Sequence, residues 1–568
     1  MNVRHKYLTL VMLFLISFPL FSQKMYLELN LNDEYSGNPF AKPKPPLETF
    51  LVIERATNDK RVQGIILNIA DVSRERDYLW ELRSALEHFK ASGKKICAFI
   101  SNADIDVYCL ASVADKIVMD ELGTLNFFGY AIGRGYARNT LDKLGIGVRE
   151  LRYFEYKSAS ETFTRNSMSP ADRRQYNDYL DDIFNLTRDT LKKARGWTDE
   201  EFNKVLNNDF IYSAKSAKDR GLIDYIGGGN AVQMAIMEIE GDYINHFNLY
   251  GGSVSSLLGD NPAYSAPKAR SFFESKPPII AVVYANGETA MTQGMEAVKL
   301  SRTIRELANK SGVKAIILRV NSPGGSASAA DLVDDAVRYA KTRKPVVVSM
   351  GQTAASGGYW VAMNASHIVA NPYTITGSIG VIGNWFYDNG LNGKLGLSID
   401  TLQRGPHADL MTGVLLPRRN LTDQEEERYK SYIIDLYNIF TGKAAEGRGM
   451  ELEKLESVAQ GRIFSGLRAQ SVGLVDSTGG LSDALNIART LAEISEKKAV
   501  KYEEYPKPKF IDKLLESLPM ASAISSSFAK SKKNQTVEFL ADFILPDINL
   551  RYRLENNGKA MPILPLDF

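Results

Sequence analysis

The 568-residue chain is too long for one hydrophobic core, so its length predicts at least two domains of ordinary size. Its 44% apolar and 24% charged content is that of an ordinary globular protein. Lys and Arg total 69 against 67 for Asp and Glu, which leaves a formal net charge of only +2. With no basic field over the whole molecule, the sequence argues against a nucleic-acid partner.

The first 22 residues have the pattern of an export segment. Arg4, His5 and Lys6 precede an apolar run from Tyr7 to Phe21, and basic residues before an apolar stretch are typical of a secretory signal. At about 15 residues the run is shorter than the roughly 20 that cross a bilayer comfortably. This length favours a cleavable signal, and a retained membrane anchor stays open. A buried core helix is the weaker interpretation, because a basic cluster at the terminus favours targeting.

Residues 64–225 and 315–476 are two copies of one sequence pattern. The matching segments are Gly64-Ile65-Ile66-Leu67 with Ala315-Ile316-Ile317-Leu318, Tyr108 with Tyr359, Ile117-Val118 with Ile368-Val369, Leu144-Gly145 with Leu395-Gly396, and Gly221-Leu222-Ile223-Asp224 with Gly473-Leu474-Val475-Asp476. Their spacing holds at about 251 residues, so chance is a poor explanation and the sequence indicates an internal duplication.

Strands and helices alternate in each copy. In chain order the first copy predicts a strand at Ile65–Ile69, a helix at Tyr78–Ala91, a strand at Ile96–Ile100, a short helix, a strand at Lys116–Met119 and a long helix from Ser169 to Phe184. The second copy predicts the same series, with strands at Ile316–Val320, Val346–Met350 and His367–Ala370 and a helix at Ala329–Thr342. A long helix follows, which Thr422 caps and which runs to Phe440. The alternation predicts a tandem α/β repeat, each copy a mainly parallel sheet flanked by helices.

Composition marks the boundaries between these regions. The predicted organisation is an export segment at 1–22, a first repeat at 23–245, a linker rich in Gly, Ser and Pro at 246–277, a second repeat at 278–495 and a C-terminal extension at 496–568. The extension contains an apolar segment at 539–544 to which the sequence assigns no role. Cys97 falls in a predicted strand and Cys109 in a predicted helix, so both are expected to be buried free thiols rather than a disulfide.

The second copy carries a candidate nucleophile, Ser356, where a predicted strand ends and a helix starts. Small neighbours let a substrate approach, and the helix start offers free N–H groups. Taken alone, Ser356 is better explained as a helix cap, since serine is among the preferred caps. A second loop, ending in Gly324 and Gly325, leaves the neighbouring strand at the same edge of the sheet. We therefore expect an oxyanion hole at the N–H groups of Gly325 and Gly357, supported by Gly324.

The first copy lacks these loops but carries a candidate base, Lys157, whose counterpart in the second copy is Ala408. Its aromatic neighbours favour burial, which lowers the pKa of a lysine from its ordinary ~10.4 towards the neutral range that a base requires. A surface lysine, or a partner for Glu155, is the alternative. His407 is a rival base, because it aligns with the residue just before the lysine position.

Four separated motifs together resemble the signal peptide peptidase A (protease IV) family, of the long double-domain type in peptidase family S49. They are Ser-Pro-Gly-Gly at 322–325, Ala-Ser-Gly-Gly-Tyr-Trp at 355–360, Thr-Gly-Ser-Ile-Gly-Val at 376–381 and Tyr-Lys-Ser-Ala at 156–159. The resemblance covers about residues 50–490. It implies the ClpP/crotonase-like fold, with Ser356 as nucleophile, Lys157 as general base and Ser378 as a supporting residue that orients the lysine.

The same resemblance implies partners and a location. The expected substrates are hydrophobic peptides such as released signal peptides, and the expected assembly is a ring-like homo-oligomer, a tetramer, associated with the membrane. The implied compartment is the bacterial cell envelope, at the inner membrane facing the periplasm, or the periplasm itself if the N-terminal segment is cleaved. That segment is a departure, because its apolar run is weak for the family's usual anchor. No cofactor, metal or nucleic acid is expected.

The sequence therefore predicts a serine endopeptidase that uses a Ser/Lys dyad and an acyl-enzyme. One alternative is a crotonase-like acyl-CoA hydratase or isomerase, although such enzymes generally use carboxylate bases and an exported protein would not meet acyl-CoA. Another is a non-catalytic scaffold whose repeats only bind peptides. Whether Ser356 meets Lys157 within one chain or between neighbouring chains stays open at the level of sequence.

Overall fold

The computed structural model of the chain describes residues 25–31, 47–70, 72, 74–241, 277–495 and 498–507. The predicted export segment, most of the linker, the C-terminal extension after residue 507 and the apolar segment at 539–544 lie outside the described residues. Within the described ranges, no helix is both long enough and apolar enough to cross a membrane.

Strands and helices alternate through most of the described chain. The strands are β1 Met25–Asn30, β2 Val62–Ile69, β3 Lys95–Asp104, β4 Lys116–Asn126, β5 Ile146–Leu151, β6 Ile211–Ser213, β7 Tyr225–Ile226, β8 Ile279–Asn286, β9 Val313–Ser322, β10 Val346–Ala355, β11 His367–Ala370, β12 Ile375–Gly377, β13 Gly383–Asp388, β14 Ile463–Ser465, β15 Ser477–Thr478 and β16 Lys501–Tyr505. The helices are α1 Leu47–Asn58, α2 Arg76–Ala91, α3 Ile105–Ala111, α4 Arg138–Leu144, α5 Glu161–Thr164, α6 Pro170–Arg195, α7 Asp199–Asn207, α8 Ala214–Asp219, α9 Gly229–Glu240, α10 Ala297–Asn309, α11 Ala327–Lys341, α12 Gly357–Trp360, α13 Leu391–Lys394, α14 Asp423–Arg448, α15 Leu452–Val458, α16 Gly466–Ser471 and α17 Leu481–Leu491.

The chain divides into two compact units. Of the described residues, those up to 130 and those in 184–241 form one unit, and those in 131–183 and from 277 to 507 form the other. The segment around Lys157 belongs to the first copy by sequence, yet it folds as part of the unit that contains Ser356. Both candidate catalytic residues therefore lie in one unit of one chain.

The first unit is built on one sheet with the strand order β1-β2-β3-β4-β6. Pairing is parallel from β1 to β4, and β6 joins β4 antiparallel. Ile65 and Ile66, adjacent residues that point to opposite faces of β2, are both fully buried, as expected for a strand covered on both faces. Cys97 and Cys109 are buried free thiols, which confirms the prediction from the sequence.

The second unit has a larger sheet with the order β14-β12-β10-β9-β8-β16. Pairing is parallel along this order except between β12 and β14. One hydrogen bond recurs in both units: Tyr108 Oη donates to the Leu222 carbonyl at 2.7 Å, and Tyr359 Oη donates to the Leu474 carbonyl at 2.8 Å. A buried tyrosine hydroxyl needs such a partner, which explains why these residues recur at the repeat spacing. The predicted tandem α/β repeat with mainly parallel sheets is confirmed.

Several elements extend beyond their predicted ends. Strand β10 continues past the predicted Met350 to Ala355, and α14 continues past the predicted Phe440 to Arg448. The capping of α14 is as predicted, because Thr422 and Glu425 form a capping box. The prediction of its length followed the stripe of large apolar residues, whereas the last two turns bury the small residues Thr441, Ala444 and Ala445.

A small two-stranded sheet attaches the lysine segment within the second unit. Strand β5 pairs antiparallel with β13, from Ile146 opposite Asp388 to Leu151 opposite Gly383. Lys157 lies a few residues after the end of β5, and Ser378 lies a few residues before the start of β13. Because the strands run in opposite directions, both residues leave the sheet at the same end.

A buried carboxylate in α11 predicts a dependence of stability on pH. Asp334 is fully buried; one carboxylate oxygen accepts from Asn364 Nδ2 at 2.8 Å, and its Oδ2 has no hydrogen-bond partner in the described structure. Burial raises the pKa of Asp334 to about 6. The folded state therefore binds this proton more tightly than the unfolded state, so stability falls as pH rises from about 4 to about 6. Asp334→Asn removes that loss and is expected to stabilise the protein by about 1–3 kcal/mol at pH 8, with little effect near pH 4.

Thermal unfolding of the wild type and Asp334→Asn at the two pH values measures this effect. Asp335→Asn is the matched control, because Asp335 is the next residue of the same helix and is exposed. An equal change in melting temperature at both pH values would contradict the assignment to a buried carboxylate.

Candidate active site

Ser356 lies on a sharp turn between β10 and α12. Its backbone angles are φ 55° and ψ −120°, a region that non-glycine residues rarely occupy. Its N–H donates to the Gly377 carbonyl at 3.0 Å. Although the residue stands at the helix N-cap position, its side chain makes no cap hydrogen bond. The capping explanation of Ser356 is therefore wrong, and the strained turn resembles a nucleophile elbow.

Glycine is required beside this turn. Gly324 has a φ of 105°, and a Cβ added there would lie 2.7 Å from Ser356 Cβ and 2.8 Å from Gly357 N. Such contacts are closer than real Cβ atoms make, so any larger residue would displace the serine or the following amide. Gly324 thus lies directly beside Ser356 and the Gly357 amide.

Lys157 contacts Ser356 directly within the chain. Lys157 Nζ lies 2.9 Å from Ser356 Oγ, 2.8 Å from the Ser378 carbonyl oxygen and 3.0 Å from Ser378 Oγ. Only 6% of Lys157 is exposed. Ser378 has a positive φ of 49°, and both of its oxygen atoms contact the amine. The structure brings together the three side chains that the sequence singled out in distant segments.

The Lys157 amine is buried, and no carboxylate of the described residues forms an ion pair with it. Burial lowers the pKa of Lys157 from 10.5 to about 7. Glu155, the suggested partner, instead pairs with Arg174 on the surface. The lowered pKa brings the neutral amine, which is the state that can accept a proton, into the neutral pH range.

Backbone contacts fix the lysine from two sides. The Tyr156 N–H donates to the Gln460 carbonyl at 2.9 Å, and Gln175 Nε2 donates to the Tyr156 carbonyl at 3.2 Å. A Cβ on Gly461, where φ is 80°, would lie 2.5 Å from Lys157 Cβ. The sequence analysis missed Gln175, Gln460 and Gly461, because nothing in their local pattern distinguishes them from other loop and helix residues.

The predicted oxyanion donors adjoin each other next to Ser356. A Cβ on Gly357 would lie 3.2 Å from the Gly325 nitrogen, so the two amides occupy one small region. Neighbouring groups are already bonded: Thr289 N–H donates to the Gly324 carbonyl, and Ser326 N–H donates to the Thr289 carbonyl, both at 2.8 Å. Within the described part of the chain, the N–H groups of Gly325 and Gly357 have no acceptor. They are available to a negatively charged oxygen.

Gly325→Ala is expected to lower kcat by about 10²- to 10³-fold with a smaller effect on KM, the usual result of losing one oxyanion donor. At a φ of 150° an added Cβ would collide with the Thr289 carbonyl oxygen, so the amide must move. Steady-state kinetics on a chromogenic peptide measures the change. Gly312→Ala is the matched control, since a Cβ there meets only Ile279 Cδ1 at 3.6 Å. A kcat close to that of this control would contradict the assignment.

His407 does not reach the site. Its Nδ1 lies 2.7 Å from Glu425 Oε1, at the start of α14. Glu425 also binds Arg419, so the histidine belongs to a local ion-pair cluster. This contact removes the main histidine rival to Lys157.

Comparison with known proteins identifies the family. The model of Peptidase family S49 matches residues 88–241 and 338–495, thus both copies of the repeat. The chain belongs to peptidase family S49. The Clp protease family model also matches residues 288–370 of this S49 peptidase, the region that holds Gly324, Gly325 and Ser356.

Relatives in plants and bacteria cover most of the chain. The S49 peptidase is 31% identical to "Serine protease SPPA, chloroplastic" of Arabidopsis thaliana over 80% of this chain and 67% of the relative. It is 31% identical to "Protease 4" of Salmonella typhi over 82% of this chain and 75% of the relative. It is 27% identical to "Protease 4" of Haemophilus influenzae over 89% and 82%. The chain is a serine protease of the protease 4 type, which excludes the acyl-CoA enzyme and the non-catalytic scaffold.

Proposed function

We propose that this S49 peptidase hydrolyses hydrophobic peptides, including released signal peptides, with Ser356 as nucleophile and Lys157 as general base. The contact between Lys157 Nζ and Ser356 Oγ, 2.9 Å long and buried, is the observation that carries the proposal. The preference for signal peptides rests on the family resemblance of the four motifs.

The hydrogen bonds of Lys157 explain how it would act as a base. A neutral amine has two N–H donors and one lone pair. The Ser378 carbonyl and hydroxyl oxygen atoms accept the two N–H groups, which leaves the lone pair directed to the Ser356 hydroxyl. Ser378 is thus proposed to orient the lysine, and it contacts the base rather than the substrate.

The reaction would proceed in two halves. In the first, Lys157 takes the hydroxyl proton as Ser356 Oγ attacks the peptide carbonyl, and the N–H groups of Gly325 and Gly357 stabilise the resulting oxyanion. Protonated Lys157 then donates its proton to the leaving amine, and an acyl-enzyme remains on Ser356. In the second half, Lys157 takes a proton from the water that attacks the ester, and it returns this proton to Ser356 Oγ as the bond to the serine breaks and the acid product leaves.

The proposal extends to location and assembly. The basic and apolar pattern of residues 1–22 supports export to the cell envelope. There the enzyme would associate with the membrane, either through these residues as a retained anchor or as the mature enzyme after their cleavage. We propose that the enzyme works there as a homo-oligomer, in keeping with the family resemblance.

A fluorophosphonate probe tests the nucleophile. Folded enzyme treated with the probe should carry one covalent adduct, which peptide mass spectrometry should place on Ser356. Enzyme unfolded in urea before treatment is the control and should remain unlabelled, because activation of the serine depends on the folded site. Failure of the folded enzyme to react, or an adduct on another serine, would reject the proposed nucleophile.

A peptide panel tests the substrate class separately. Synthetic signal peptides should be cleaved with a higher kcat/KM than peptides of the same length whose apolar residues are replaced by serine and asparagine. Equal rates on both sets would reject the substrate class and leave the nucleophile in place.

A further inference from the structure

A buried glutamine in α6 contacts two separate segments beside the candidate base. Gln175 lies in the second turn of this helix and is only 1% exposed. Its Nε2 donates to the Tyr156 carbonyl, directly before Lys157, at 3.2 Å and to Ser158 Oγ, directly after it, at 3.1 Å. Its Oε1 accepts from the Ile463 N–H at 3.1 Å. One end of the side chain therefore contacts the lysine segment, and the other end contacts β14.

The start of β14 also holds the serine that contacts the lysine amine. The Arg462 carbonyl accepts from the Ser378 N–H at 2.7 Å, and Ile463, the next residue, donates to Gln175. Both oxygen atoms of Ser378 in turn contact Lys157 Nζ. Gln175 thus connects the backbone on either side of Lys157 to the strand that positions Ser378.

The partners of Gln175 require an amide. Asp172 Oδ1 lies 3.0 Å from Nε2, and this carboxylate also accepts from Ser158 Oγ and pairs with Arg134. The Gln175 nitrogen therefore faces acceptors only, whereas its oxygen faces a backbone N–H, and an amide alone supplies both groups. An apolar side chain at this position would leave buried polar groups at both ends without this partner, which is costly.

We propose that Gln175 is a positioning residue for peptide hydrolysis, which holds Lys157 Nζ within reach of Ser356 Oγ by joining the lysine segment to β14. The inference rests on the proposed role of Lys157 as the base. A lysine side chain is flexible, so the position of its amine depends on how firmly its backbone is held. A displacement of about 1 Å is enough to lower a rate on the order of 10²-fold, so loss of the bridge should slow the attack by Ser356.

Loss of the bridge should also change the pH dependence of the site. Burial lowers the pKa of Lys157, so a loosened segment that admits water should raise this pKa towards its ordinary value. The charged groups around the segment already have partners and do not supply a new counter-ion. These pairs are Asp172 with Arg134, Glu161 with Arg152, Glu155 with Arg174 and Asp178 with Arg462.

The rate constant of fluorophosphonate labelling tests the inference. Measured on enzyme that circular dichroism shows to be folded, it reports the reactivity of Ser356 and not the yield of active protein. Gln175→Met should lower the rate constant at pH 7 on the order of 10²-fold and move the midpoint of its pH profile to a higher pH. Asn177→Met is the matched control and should react like the wild type, since Asn177 is an exposed amide of the same helix.

A second variant guards against a failure to fold. Gln175→Asn keeps the amide but is one methylene shorter, so it cannot reach both segments and should also react more slowly than the wild type. This variant decides the question if Gln175→Met does not fold. A folded variant of Gln175 with the rate constant and pH midpoint of the wild type would overturn the inference.

Lys157→Met separates this outcome from failure of the proposed function. Labelling of Lys157→Met at the wild-type rate would reject the base itself, whatever the Gln175 variants do. If Lys157→Met is unreactive and Gln175→Met reacts like Asn177→Met, the base stands and only the positioning role of Gln175 is rejected.

Discussion

Replacement of Ser356 by alanine is expected to reduce kcat for peptide hydrolysis on the order of 10⁴- to 10⁶-fold, the range seen when a serine protease loses its nucleophile. The variant lacks Ser356 Oγ, the atom that lies 2.9 Å from Lys157 Nζ. The fold should persist, since the Ser356 side chain makes no cap hydrogen bond and alanine keeps the backbone contacts of the turn. Single-turnover kinetics and fluorophosphonate labelling measure the loss.

Ser322→Ala provides a matched control for this experiment. Ser322 is a buried serine at the end of β9; its hydroxyl lies 3.1 Å from Thr289 Oγ1 and accepts from the Gly324 N–H at 3.2 Å, and it makes no hydrogen bond with Lys157 among the described residues. Its replacement should cost far less activity and preserve labelling. Retention of substantial hydrolysis by a folded Ser356→Ala would mean that another group attacks the peptide.

Much of the fold followed from the repeat and from strand and helix periodicity. A short apolar strand such as β2 and a capped helix such as α14 carry their signals in adjacent residues, so local pattern suffices. The candidate nucleophile could also be predicted from the sequence, because a cluster of glycines such as the one around Ser356 is needed only where backbone groups approach closely. Sequence pattern could not give the positive φ at Ser356, nor the hydrogen bond from its N–H to the Gly377 carbonyl, which lies in another segment of the chain.

The surroundings of Lys157 were harder to predict from the sequence. Its burial depends on Gln460 and Gly461, which lie some 300 residues away along the chain and pack on its backbone. The repeat assigns Lys157 to the first copy by similarity, whereas the β5–β13 pair places it in the unit of Ser356. Similarity between copies reports common ancestry of the segments, and only contacts decide which segments fold together.

Lys157 variants should separate the effect of the base from the effect of burial. Lys157→Met should lower kcat/KM on the order of 10⁴-fold, because nucleophile and base act as a unit. The wild-type kcat/KM should rise with pH through about 7, since burial lowers the pKa of Lys157 to about 7 and only the neutral amine accepts a proton. Lys157→Arg remains charged at every accessible pH and should be inactive throughout. A wild-type profile that stays flat between pH 6 and 8.5 would contradict the assigned base.

The Lys157→Met substitution should also stabilise the protein. Because the pKa of Lys157 is lowered in the folded state, the unfolded chain binds more protons between about pH 7 and 10.5, so wild-type stability rises with pH across this range. Below pH 7 the full cost of burying the amine applies, up to about 5 kcal/mol before the lysine's hydrogen bonds offset part of it. Lys157→Met should therefore unfold at a higher denaturant concentration than the wild type at pH 6, and the difference should shrink at pH 10.

Lys310→Met, at an exposed lysine, is the control and should show no comparable gain. A lysine kept only for structure would give the opposite result, whereas a catalytic one combines lost activity with gained stability.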